Sequence, residues 1–185
     1  MIERDAVALI RDAVDNGAGT WADLGCGAGT FTRALVDLLG SDRTIIAVDQ
    51  DATALDELRR WAERHAPNVG TVQGDFTRTS NIAELRDGSL GGLLFANSLH
   101  FVADADNVLA RLVRLLRPPA GGAPGGRVVI VEYDRRDANP WVPFPLSRDR
   151  LPIVAMTAGL SVPVVTATRR SRYQGLMYAA AAERV

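Results

Sequence analysis

Residues 20–32 read Thr-Trp-Ala-Asp-Leu-Gly-Cys-Gly-Ala-Gly-Thr-Phe-Thr, and this stretch decides the fold. A buried-strand pattern runs into Gly25, Gly27 and Gly29, and a helix begins at about Thr30. Glycines allow the backbone to turn sharply and to approach a ligand without a Cβ in the way. The start of the helix adds free N–H groups and the positive end of its dipole. The combination points to a nucleotide-like ligand, and the residues further along decide which one.

Outward from this loop the chain alternates strands and helices. An amphipathic helix is expected over residues 2–15, ended by Asn16-Gly17, followed by a strand at 20–25 and a helix stopped at Gly40. The β-branched run 44–49 reads as a strand buried on both faces. A helix at 52–65, strands at 69–73 and 91–96, a helix at 104–117 and a strand at 127–133 continue the pattern. The segment from Ser80 to Gly88 is too short and polar for more than a turn or two of helix, and 117–126 reads as a helix exit and loop. A helix at about 148–158 and strands at 162–168 and 173–181 close the chain. Such alternation with short links defines a doubly wound α/β sheet, here a single domain over residues 1–185.

Composition narrows the chemistry. All 21 basic residues are arginine, so a phosphate loop that depends on lysine and a Schiff-base nucleophile are both excluded. The net charge of −1 gives no global field for nucleic acid, and Arg169, Arg170 and Arg172 form the one basic cluster, read as a solvated turn. Cys26 is the single cysteine, which excludes an intrachain disulfide and a zinc ligand set; no metal is expected. No apolar run approaches a membrane span and the opening residues resemble no leader, so a cytoplasmic protein with no membrane partner is expected.

In doubly wound sheets ligands collect beyond the carboxyl ends of the strands. There the chain places Asp23 to Gly29, then Asp49 and Gln50, then Gly74-Asp75-Phe76, then Asn97 and Ser98. Asp49 can accept both hydroxyls of a ribose, a device shared by NAD and methyl-donor sites. Thr30 stands where a dinucleotide loop wants its third glycine. Asp23 suits a cationic or amino-bearing ligand and opposes a phosphate, while Asp75 offers a carboxylate for an exocyclic amine and Phe76 a face for a purine. The ligand reading is preferred to a helix N-cap for Asp49 and to an ordinary turn for Asp75. Cys26 reads as a small loop residue.

Ala22-Asp-Leu-Gly-Cys-Gly-Ala-Gly-Thr30, Val48-Asp49, Gly74-Asp75-Phe76, Asn97-Ser-Leu-His-Phe101 and Leu116-Arg-Pro118 followed by Gly-Gly-Arg-Val-Val-Ile resemble the class I S-adenosylmethionine-dependent methyltransferases over about residues 20–133. The resemblance implies a seven-stranded sheet in the order 3-2-1-4-5-7-6 with the last strand antiparallel and helices on both faces. It implies S-adenosyl-L-methionine as cofactor, with Asp23, Gly25, Cys26, Gly27 and Gly29 around the methionine portion. Asp49 and Gln50 would lie at the ribose, Asp75 at the adenine amine, Phe76 on the ring and Asn97 along the cofactor. The chain departs from many relatives in carrying one short helix before the first strand and a reduced third helix.

The acceptor side is less defined. His100 is a candidate general base or a structural histidine, and Trp141 and Phe144 form either a lid over an apolar acceptor or a packed loop. Arg148 and Arg172 are candidates for an acidic substrate, with surface ion pairs preferred. The expected partner is a small-molecule acceptor and no nucleic acid. A silent binder of the cofactor or its demethylated product and a nicotinamide-dependent oxidoreductase remain the alternatives.

Overall fold

A computed structural model describes residues 1–14, 19–171 and 175–185. Its seven strands are β1 (Thr20–Leu24), β2 (Ile45–Asp49), β3 (Val69–Gln73), β4 (Leu90–Ala96), β5 (Arg127–Tyr133), β6 (Val164–Arg170) and β7 (Leu176–Glu183). They form one sheet in the order β3-β2-β1-β4-β5-β7-β6. β7 alone runs antiparallel to its neighbours. The expected topology is therefore the observed one.

Helices α1 (Glu3–Ile10), α2 (Thr30–Leu39) and α3 (Ala52–His65) pack on one face of the sheet, where Ile10, Leu35 and Leu58 meet Trp21, Ile45 and Leu94. Helices α4 (Ala105–Val113) and α5 (Leu151–Thr157) cover the other, over Leu24, Leu93 and Phe95. Fully burying side chains of this size stabilises by about 1.5–3 kcal/mol each. Trp21 needs particular room. Its register partner on β4 is Gly92, where a Cβ would lie 2.4 Å from the indole.

Most elements match the sequence expectation, and the differences have local causes. α1 ends at Ile10, short of residue 15, and the Asn16-Gly17 stop lies outside the described residues. α4 stops at Val113, where a tighter turn carries the chain into the bridge between Leu116 and Leu90. α5 starts at Leu151, with Pro152 in its first turn, where a missing amide costs nothing. The first expected residues of the last strand are not described, and β7 begins at Leu176. Its alanines alternate between faces: Ala180 and Ala182 join the α4–α5 side, Ala179 and Ala181 the α1–α3 side. Pairing on both edges and burial on both faces override the helix preference of an alanine run.

Arg169 is not a solvated turn residue. It lies on β6 and pairs with Asp5 of α1 at 2.6 Å. Arg172 falls outside the described residues. Among the described residues no helix is long and apolar enough to cross a membrane, and no cluster of His, Cys, Asp or Glu could hold a metal ion.

Candidate functional site

Two cavities open beyond the carboxyl ends of β1, β2, β4 and β5, and they share Asn97 and Phe101. The first, about 690 Å³, is lined by Gly25, Asp49, Gln50, Asp75, Phe76, Asn97 and Ser98, among others. It gathers six of the ten cofactor-side residues expected from the sequence. Asp23, Cys26, Gly27 and Gly29 do not line it and lie behind or beside its wall.

The glycine loop is built for close packing. Gly25 has φ +80°, and a Cβ there would stand 2.5 Å from Ser98 Cβ and 3.4 Å from the Phe76 ring. Gly29 has φ +85°, and its Cβ would run into Leu58 of α3 at 2.4 Å. The loop also spends its own amides. Gly25 and Cys26 donate to the Val48 carbonyl, Gly27 to Asp49 Oδ2 at 2.7 Å, and Gly29 to the Cys26 carbonyl. These four amides are spent within the fold and are not offered to a phosphate.

Asp49 is relieved of helix capping, because Asp51 caps α3 by accepting from the Thr53 and Ala54 amides. Asp49 Oδ1 takes the Asp51 amide at 2.9 Å, and each of its oxygens retains a lone pair for the cavity. Asp75 turns its own chain through Oδ1, which accepts from the Thr77 amide and hydroxyl; among the described residues Oδ2 has only Arg78 Nε at 3.8 Å. Phe76 stands edge-on to Phe95, with ring centroids 5.9 Å apart.

Asp23 is fully buried. Thr32 Oγ1 donates to its Oδ2 at 2.7 Å, and its Oδ1 has no partner. Burial pushes the carboxyl up to about 7, against the Thr32 hydrogen bond, with the charge of Asp49 adding to the rise. Burial likewise pushes the Cys26 thiol up, with Asp23 and Asp49 adding, so it stays a thiol and serves as a small loop residue. Asn97 holds φ +57°, uncommon for a side chain, with its amide fixed to the Val131 carbonyl and its buried Oδ1 unpartnered.

The second cavity, about 1050 Å³, is lined by Asn97, His100, Phe101, Tyr133, Arg135 and Trp141, with Val142 and Leu176 in its floor. His100 is almost wholly buried, and its Nδ1 lies 2.6 Å from Glu132 Oε2. Glu132 Oε1 accepts the His100 amide at 3.2 Å. A carboxylate only accepts, so Nδ1 is the donor of this bond, and among the described residues Nε2 makes no hydrogen bond. Sequence reasoning missed Glu132, although a lone carboxylate inside the apolar run 127–133 signals a buried partner. It also missed Phe101 and Arg135.

The remaining acceptor-side candidates separate. Trp141 lines this cavity and is 77% exposed. Phe144 lines a neighbouring recess with Arg135 and Ile153, and its amide donates to the His100 carbonyl at 3.0 Å. Arg148 lines neither space; its Nε pairs with Asp134 at 2.7 Å and its amide caps the same carboxylate, as a surface ion pair.

Three features of this structure fit an adenosyl sulfonium cofactor: the unpartnered Asn97 oxygen, the open lone pairs of Asp49 and Asp75 in one cavity, and loop amides withheld from phosphate.

A methyltransferase domain family matches residues 22–119, more than half of the chain. An uncharacterized 37.1 kDa protein in a transposon of Streptomyces fradiae is 33% identical over 132 residues, covering 71% of this chain and 35% of that protein. Ribosomal RNA small subunit methyltransferase H of Roseobacter denitrificans is 37% identical over 79 residues, covering 43% of this chain and 23% of its own length. The chain thus spans about a third or less of these relatives. Among solved structures, an S-adenosylmethionine-dependent methyltransferase from Aquifex aeolicus superposes with a TM-score of 0.68 at 17% identity, with 100% of each chain covered. An arsenic(III) S-adenosylmethionine methyltransferase from Chlamydomonas reinhardtii gives a TM-score of 0.71 at 18% identity, covering 98% of this chain and 72% of that one. At these identities the likeness is one of fold.

Proposed function

The chain belongs to the methyltransferase domain family, and from that premise we propose that it transfers a methyl group from S-adenosylmethionine to a small-molecule acceptor held in the second cavity. The observation that carries this reading is the shared wall: Asn97 and Phe101 border both spaces, and the His100–Glu132 pair stands on the acceptor side of it.

Asp49 would hold the ribose hydroxyls with Gln50 beside it, Asp75 the adenine amine, and Phe76 the ring face. Asn97 would line the cofactor. Gly25, Cys26, Gly27 and Gly29 would form the wall at the methionine portion, with the buried Asp23 carboxyl behind it. When bound, S-adenosylmethionine supplies a methyl group on a sulfonium, already activated toward a nucleophile. What the protein adds is position, dryness and a proton acceptor. His100 Nε2 takes the proton from the attacking atom of the acceptor, and Glu132 balances the imidazolium that forms. Phe101 and Trp141 cover the acceptor space.

A small acceptor is favoured over RNA by the charge pattern. Three arginines near this end are paired: Arg136 with Asp149, Arg148 with Asp134 and Arg150 with Asp106. Neutralised cations supply little of the counterion release on which RNA binding depends. The test is transfer of labelled methyl to a panel of small acceptors, with calorimetric titration of S-adenosylhomocysteine and NAD. S-adenosylhomocysteine binding with labelled product is expected. NAD binding without S-adenosylhomocysteine binding, or tight salt-sensitive binding of structured RNA in a gel shift, overturns the reading.

A further inference from the structure

The second cavity has aromatic walls and one cation whose charge is not spent. Phe101, Tyr133 and Trp141 line it, and among the described residues Phe101 is 62% and Trp141 77% exposed, so both present open apolar surface. The His100 ring lies 4.3 Å from that of Phe101 and 5.9 Å from that of Tyr133, which places the proton acceptor among these rings. Arg135 lines this cavity and the adjoining recess beside Phe144. Its Nε donates to the Asp137 carbonyl at 2.7 Å, which fixes the guanidinium plane.

Of the carboxylates near Arg135, the exposed Asp137 meets it through its main-chain carbonyl, and three others are held elsewhere. Asp134 is held by Arg148, Glu132 by His100, and Asp149 by Arg136. Among the described residues Arg135 has no carboxylate within ion-pair distance, and its terminal nitrogens are left for a ligand. A planar guanidinium held at Nε matches a planar carboxylate through two parallel hydrogen bonds. One cation balances one negative charge. A phosphate dianion would call for a second, and the neighbouring arginines are already paired.

We infer that the acceptor is a small aromatic carboxylate bearing a hydroxyl, its carboxylate held by Arg135, its ring set against Phe101, Tyr133 and Trp141, and its hydroxyl delivered to His100. This rests on the methyl-transfer reading and deepens it. The hydroxyl loses its proton to His100 Nε2 as the new oxygen–carbon bond forms, and the electron pair of the broken sulfur–carbon bond stays on sulfur.

The experiment titrates the protein, saturated with S-adenosylhomocysteine, with 4-hydroxybenzoate and 4-hydroxycinnamate and with their amides, read by tryptophan fluorescence and calorimetry. Labelled methyl transfer is followed in parallel with S-adenosylmethionine. The acids are expected to bind at least tenfold more tightly than the amides. Arg135→Gln is expected to bring acids down to the amide level, and Arg135→Lys to give an intermediate preference. Unchanged S-adenosylhomocysteine affinity in both variants shows that they are folded. Equal binding of acid and amide to the wild type, no binding of either, or a preference that survives Arg135→Gln overturns the inference. Failure of the methyl-transfer reading shows differently, as loss of S-adenosylhomocysteine binding in the wild type.

Discussion

Glu132 engages His100 twice, through Oε2 to the ring Nδ1 at 2.6 Å and through Oε1 to the backbone amide at 3.2 Å. Both oxygens of a fully buried carboxylate thus serve one residue and fix both its ring and its main chain. Phe144 adds a third restraint by donating to the His100 carbonyl, so the strap carrying Trp141 and Phe144 is tied to the same point.

Removing His100, the proposed proton acceptor, should slow turnover without touching the cofactor. His100→Ala is expected to lower kcat by about 10²–10³-fold, with S-adenosylhomocysteine affinity unchanged and part of the rate restored by added imidazole. Glu132→Gln should lower kcat with little change in KM, since the amide holds the ring and cannot balance its charge. Steady-state kinetics of both variants with an active acceptor check this. A wild-type rate in His100→Ala would assign the histidine a structural role.

Asp49 acts on the ligand and on the loop together. Asp49→Ala removes the acceptor of the Gly27 and Asp51 amides, and with it the proposed ribose contact. S-adenosylhomocysteine affinity should fall at least tenfold, about 1.4 kcal/mol or more. Asp51→Ala provides the contrast: it loses the α3 cap at a cost of about 1 kcal/mol in stability, with affinity little changed. Calorimetry and thermal melts separate the two effects.

Asp23 makes stability depend on pH. Its carboxyl is raised from the ordinary 3.8 to about 7 by burial, so the folded protein holds this proton more tightly than the unfolded chain. Its favourable contribution is complete below about pH 3.8 and is lost as pH rises through about 7. Asp23→Asn keeps an acceptor for Thr32 and carries no charge. The variant should lose most of this fall in stability between pH 4 and 7 and gain on the wild type as pH rises to 8. Denaturant titrations across that range test the sign; a gap that narrows with rising pH contradicts it.

Gly25→Ala tests the closeness of the loop. The new Cβ meets Ser98 Cβ at 2.5 Å in a left-handed backbone, and Ser98 is held in place by its hydrogen bond to the Leu24 carbonyl. A loss of about 1–3 kcal/mol in stability with weakened S-adenosylhomocysteine binding is expected. Gly27→Ala has open space at the same loop and should retain more of both.

By itself the sequence determined the sheet and which residues gather at its strand ends. Strand and helix periodicities are local, and in a doubly wound sheet they carry the strand ends to one edge, so Asp49, Gln50, Asp75, Phe76 and Asn97 were legible before any coordinates. The tertiary structure decided which side chains meet. Arg148 and Arg135 are alike in sequence, yet one is spent on Asp134 and the other lines the second cavity. Glu132 is one residue of a buried strand until β5 brings it against His100. Asp23, expected beside the ligand, is fully buried and bonded to Thr32, a pairing that only the packed fold decides. The reason is physical: backbone form follows nearest neighbours along the chain, whereas a charged side chain settles on whichever partner the packed fold brings within about 3 Å.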